Sequence, residues 1–196
     1  MFKVGARFIG DFKDGDNIKY NLEILNVLYT YYNQAVLTRE KLLLCKPIII
    51  LLVSVIEAVV DDLFFKIDRY HREGVSNIPI EMMEKIRSKK YKKLDNQLDL
   101  CIKYDIFDGV LSNFYATLKE LIKLRNRIHI QNNKMYIPLD EDDAFSESKK
   151  VSAEKICEYI FKKMVNKFDR GPSFNDYIGY FEMPWEEHFS NSKNKL

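Results

Sequence analysis

Ile48-Ile49-Ile50-Leu51-Leu52-Val53-Ser54-Val55-Ile56-Glu57-Ala58-Val59-Val60-Asp61-Asp62 contains the longest apolar run in the chain. It decides the fold class. A bilayer span needs about 20 apolar residues, whereas this run is interrupted at Ser54 and Glu57 and stops at Asp61. A helix that is apolar nearly all round must be enclosed by other elements. The run is therefore read as a core helix over residues 47–70, with Pro47 in its first turn, where a missing N–H costs nothing, and Gly74 beyond its end.

Flanking segments carry helical periodicity too. Leu22, Leu25, Leu28 (or Tyr29), Tyr32 and Val36 recur at helical spacing and predict a helix over 18–44, capped by Asn17 or Asn21. Shorter helices are expected over 81–88 and 92–104. Asp108-Gly109 marks a turn before a strongly periodic helix over 110–131, and a last helix spans 151–168 with Ser152 as its cap. Seven glycines and five prolines in 196 residues suit long helices rather than many tight turns. The fold class is all-α, a bundle of about five to six helices. Its organisation is an amino-terminal arm (1–17) with a short strand near residues 3–9, the bundle (18–170), and an aromatic then polar tail (171–196) that can pack back through Tyr177, Tyr180, Phe181 and Trp185. Residues 132–150, with the acidic run 140–143, read as an exposed loop.

Composition narrows function. The net charge is +2, which does not by itself announce a nucleic-acid binder. Cys45, Cys101 and Cys157 are far apart and without a Cys-x-x-Cys pair, so buried free thiols in a reducing cytoplasm are expected. The charged residues interleaved in 1–13 leave no signal-peptide core. No glycine-rich phosphate loop, nucleophile elbow or zinc-ligand spacing is present. Neither metal nor cofactor is expected, and no membrane partner.

The chemistry concentrates on one helix face. Phe114, Leu118, Leu121, Arg125, Ile128, His129 and Asn132 share a side of the 110–131 helix. The stripe that faces the core thus ends in Arg125 and His129. A buried arginine needs an acid or an anion. Ser54, Glu57 and Asp61 lie on one face of the core helix by i, i+3 and i+4 spacing, and Glu57 is the expected partner of Arg125.

The stretch Leu121-Ile122-Lys123-Leu124-Arg125-Asn126-Arg127-Ile128-His129-Ile130 resembles the signature helix of the HEPN superfamily (higher eukaryotes and prokaryotes nucleotide-binding). Arg125-Asn126 and His129 match its motif, and the helix bearing Ser54, Glu57 and Asp61 resembles the one that carries a supporting polar residue there. The resemblance implies an all-α HEPN-like bundle, a homodimer, and a metal-independent endoribonuclease of defence or toxin–antitoxin systems with Arg125, Asn126 and His129 catalytic at a dimer cleft. RNA is the implied substrate, and an antitoxin or a nucleotidyltransferase the implied partner class. The chain departs from the usual pattern in placing only three residues between Arg and His.

A basic cluster adds to this. Lys85, Arg87, Lys89, Lys90, Lys92 and Lys93 surround Tyr91, and Lys89, Lys90, Lys92 and Lys93 are the candidate RNA contacts. From residue 81 to 136 there are 12 basic and 7 acidic residues, so the local balance is positive. The alternative, from another functional class, is a non-catalytic helical interaction module in which the Arg/His helix is structural.

Overall fold

The computed structural model describes residues 1–70, 75–89, 91, 93–128, 140–172 and 178–189. The elements run β1 (Phe2–Gly5), α1 (Phe12–Gln34), α2 (Thr38–Arg69), α3 (Ile80–Ser88), α4 (Leu94–Lys103), α5 (Phe114–Arg125), a 3-10 turn (Asn126–Ile128), α6 (Glu141–Ala144), α7 (Glu147–Phe168) and β2 (Tyr180–Met183). The architecture is the expected all-α bundle, with one two-stranded sheet added by the chain ends.

The apolar run lies in α2, the central helix, which packs against α1, α3, α4, α5 and α7. Ile48, Ile49, Leu52, Val53, Ile56, Val59, Val60 and Leu63 are fully enclosed. The helix is longer than its apolar run, because the charged segments at both ends are helical too. At 32 residues and a best-window mean hydropathy of 2.5 it is long and apolar enough to cross a membrane, with half of that window buried inside the bundle. The length expectation drawn from the run alone is corrected by that.

Several boundaries move. The 18–44 helix is two: α1 ends at Gln34, the chain reverses through residues 35–37, and α2 begins at Thr38. No glycine or proline marks this reversal in the sequence. Pro47 therefore sits inside α2 rather than in its first turn. The carbonyl that loses its donor is that of Leu43, a residue 58% exposed. At the other end, α1 starts earlier than Asn17, because Asp11 caps it, accepting from Lys13 N at 2.8 Å and Asp14 N at 3.4 Å. Likewise α7 starts a turn before residue 151. Ser146 occupies its cap position, and Ser152 Oγ instead donates to Ser148 O at 2.9 Å. The acidic run 140–143 is partly helical, as α6.

The chain ends close on each other. β1 and β2 pair antiparallel with Phe2 opposite Met183 and Val4 opposite Phe181. Phe8, Phe161 and Phe181 form a ring cluster with centroids 5.4–5.9 Å apart. Tyr180 faces outward instead, with Lys3 Nζ 3.9 Å from its ring centre. Cys45, Cys101 and Cys157 are free and buried as expected. Gly74, Tyr177, the extended piece expected at 134–138 and the frayed end expected at 190–196 lie outside the described residues.

Candidate nucleic-acid interface

α5 begins late for a local reason. Asp105 and Asp108 hold left-handed backbone (φ 44° and 52°), and the Asp105 carboxylate accepts from Gly109 N at 2.7 Å and Val110 N at 3.1 Å. This winds residues 105–110 into a turn, so the helix expected over 110–131 starts at Phe114. Its apolar stripe then enters the core: Phe114, Leu118, Leu121, Ile122 and Leu124 are buried against α2 and α7.

The stripe ends at Arg125, and the expected partner is there. Arg125 Nη1 lies 2.7 Å from Glu57 Oε2, with side chains 23% and 35% exposed. The pair is thus half-buried and reachable from solvent. Arg125 Nε has no hydrogen-bond partner although it is buried. Because the guanidinium carries five N–H donors in a planar fork, donors remain beyond the contact with Glu57.

The rest of the predicted polar face divides. Ser54 Oγ donates to Ile50 O at 2.9 Å within its own helix and takes no part in the ion pair. Asp61 accepts from Gln97 Nε2 at 2.7 Å. Asn126 is exposed at the start of the 3-10 turn. The α-helix stops at Arg125, so the one-turn stacking of Arg125 and His129 expected from a continuous helix is not carried by α-helical winding. His129 itself lies outside the described residues.

The basic cluster also divides. Arg87 closes the end of α2, donating from Nε to Ile67 O at 3.0 Å and from Nη2 to Tyr70 O at 3.3 Å. That is a structural task. Lys89 and Lys93 flank the α3–α4 connection at the cap positions of the two helices, and Lys89 Nζ lies 5.8 Å from the ring centre of Tyr91. Lys90 and Lys92 lie outside the described residues. Tyr91 packs on Phe64 at 6.2 Å between centroids, and its carbonyl accepts from Gln97 Nε2 at 3.0 Å.

α2 brings these parts into one neighbourhood. Glu57, Asp61 and Phe64 follow i, i+4, i+7 spacing and share a face. Arg125 docks on the first, Gln97 on the second and Tyr91 on the third. The end of α5 and the basic α3–α4 connection therefore lie along one side of α2, with about one helical turn, 5.4 Å, between successive contacts.

The sequence reading missed two buried polar clusters. Asp62 and Lys66 are fully enclosed. Asp62 accepts from Gly10 N at 2.9 Å and from Asp11 N at 2.9 Å, while Lys66 donates to Phe8 O, so the pair fastens the arm to α2. Burial pushes the Asp62 carboxyl up to about 6, and it pushes the Lys66 ammonium down to about 8. The second cluster fastens the tail to α7. Glu154 binds Tyr29 Oη, Lys150 Nζ at 2.7 Å and His188 Nε2 at 2.9 Å. Glu158 accepts from His188 N at 2.9 Å and Phe189 N at 2.8 Å. The available signal was acids at i, i+4 spacing from lysines on the apolar side of a helix. Among the described residues no group of His, Cys, Asp and Glu could hold a metal ion.

Comparison with models of known protein families, with curated proteins and with solved structures finds no match to this chain.

Proposed function

We propose that this chain is a metal-independent endoribonuclease in which Arg125 binds the scissile phosphate. One observation carries the reading. Arg125 is half-buried, meets Glu57 through Nη1, and lies on the same side of α2 as the Lys89–Tyr91–Lys93 connection. Arginine held in this way offers a planar fork suited to phosphate oxygens, and lysines beside an aromatic ring suit a polynucleotide backbone.

In this reading the RNA supplies its own nucleophile. The 2′-oxygen forms a bond to phosphorus, the bond from phosphorus to the 5′-oxygen breaks, and the products are a 2′,3′-cyclic phosphate and a 5′-hydroxyl. Arg125 balances the charge that builds on the non-bridging oxygens. His129, by its resemblance to the HEPN motif, takes the 2′-hydroxyl proton, the departing 5′-oxygen takes a proton from water to become the 5′-hydroxyl, and Asn126 orients the phosphate. A role in defence or in a toxin–antitoxin pair belongs to the same proposal.

The test is incubation of the purified chain with total RNA in EDTA. Wild type cleaves, whereas Arg125→Ala and His129→Ala lose at least about 100-fold in rate with unchanged helical content. Equal cleavage by all three, or none by wild type on several RNAs, removes the reading. The second reading, a helical interaction module, is favoured by one specific observation: α1 carries a row of large apolar side chains on its solvent side.

A further inference from the structure

α1 has two apolar faces. Ile18, Leu22, Leu25 and Tyr29 are buried against the bundle. Tyr20, Ile24, Val27 and Tyr31 are 64%, 38%, 53% and 60% exposed. At about 100° per residue the second set lies roughly opposite the first. Its spacing of four, three and four residues is that of a coiled-coil seam.

The helix segment that carries this seam is itself nearly uncharged. From residue 20 to 35 the only charged side chain is Glu23, in a chain that is 31% charged. Depletion of charge with tyrosine enrichment is the composition of an interface centre, not of a solvated helix face. α5 offers the contrast, because its outward positions are Ala116, Lys119, Glu120 and Lys123.

The pattern is also self-complementary. Tyr, Ile, Val and Tyr at four-three-four spacing read the same in both directions by class: aromatic, aliphatic, aliphatic, aromatic. A two-fold axis through the midpoint of residues 25 and 26 places Tyr20 of one copy against Tyr31 of the other, and Ile24 against Val27. An isologous interface requires this reciprocity. The lone charge is compatible, since the same axis sets Glu23 opposite Leu28 and not opposite a second Glu23. The tyrosine hydroxyls at both ends stay at the wet rim.

We infer that the outward face of α1 is a homodimer interface, an antiparallel seam of Tyr20, Ile24, Val27 and Tyr31 closed by the same residues of a second copy. This interface differs from the Arg125 cleft that the resemblance places between two copies, and it uses neither Arg125 nor the basic connection. Val36 and Leu37, 91% and 60% exposed just beyond α1, extend the apolar area.

Sedimentation of the full chain at micromolar concentration tests the interface. Wild type sediments at twice 23.3 kDa. The double variant Ile24→Glu/Val27→Glu sediments as a monomer with at least about 100-fold weaker association and an unchanged circular dichroism spectrum, since both side chains point away from the core. A monomeric wild type overturns the inference, as does a variant that folds and remains dimeric. A second measurement reads the orientation and needs no loss of folding. The native cysteines are buried, so a short bis-maleimide reports introduced thiols. Tyr20→Cys and Tyr31→Cys proteins cross-link when mixed, and neither cross-links alone, because like positions lie about 16 Å apart along the seam. Efficient cross-linking of Tyr20→Cys to itself overturns the antiparallel arrangement.

Discussion

At the scale of single residues, exposure decides what each ion pair is worth. A sealed pair of Arg125 and Glu57 would cost about 3–5 kcal/mol to disrupt. With side chains 23% and 35% exposed, solvent screens the charges and rehydrates whichever partner is left. Glu57→Ala should therefore lower stability by about 1 kcal/mol or less, read from the urea midpoint. A loss above about 3 kcal/mol would mean that Arg125 cannot reach water. Asp62 behaves differently because it is enclosed. Its folded-state value of about 6 lies above that of an ordinary aspartate, so the folded chain holds the proton more tightly than the unfolded chain between about pH 4 and 6. Asp62 thus contributes stability that grows as pH falls through that window and is lost as pH rises. Asp62→Asn should remove this slope, at most about 1.4 kcal/mol per pH unit. Parallel pH–stability curves for the two proteins would contradict it.

At the scale of elements, helix ends are set by a few side chains whose influence is not periodic. Asp11 starts α1, the Asp105 turn delays α5, and Arg87 closes α2. Pro47 is the exception that an element tolerates. Its ring lies on the exposed side of α2, and the freed carbonyl belongs to Leu43, itself an exposed residue. Pro47→Ala should restore one helical hydrogen bond without removing core area, raising stability by about 1 kcal/mol in thermal or urea unfolding. Destabilisation would show that a bend at Pro47 is needed for packing. The helices themselves were legible in the sequence, because stripes such as Leu94, Leu98 and Ile102, or Phe114, Leu118 and Leu121, repeat with the helical period. The reversal at residues 35–37 was not, since Ala35, Val36 and Leu37 continue an apolar pattern and only packing of α1 back along α2 breaks it.

At the scale of the whole molecule, the two ends of the chain complete the core. Phe181 is fully buried between Phe8 and Phe161, although it lies more than 170 residues from Phe8. Phe181→Ala should cost about 3–5 kcal/mol, the range for an enclosed aromatic side chain. A change below about 1 kcal/mol, measured by chemical unfolding, would mean that the tail is an appendage and not part of the core. The buried acids are consistent with this: Asp62 receives the arm, and Glu154 with Glu158 receives the tail.

The sequence by itself determined the fold class and the central place of the helix built on residues 48–60, and it named Glu57 as the candidate partner of Arg125, a contact that the structure supplies. Periodicity reports which face of a helix is buried, and a base on such a face needs an acid or an anion as partner. Only the tertiary structure decided the pairing of β1 with β2, the fastening of both chain ends on Asp62, Lys66, Glu154 and Glu158, the alignment of Arg125 with the Tyr91 connection along α2, and the outward row on α1. These depend on which elements become neighbours. Two apolar faces on one helix look alike in a linear pattern, and only the position of the bundle shows that Ile18, Leu22, Leu25 and Tyr29 are inside while Tyr20, Ile24, Val27 and Tyr31 face out.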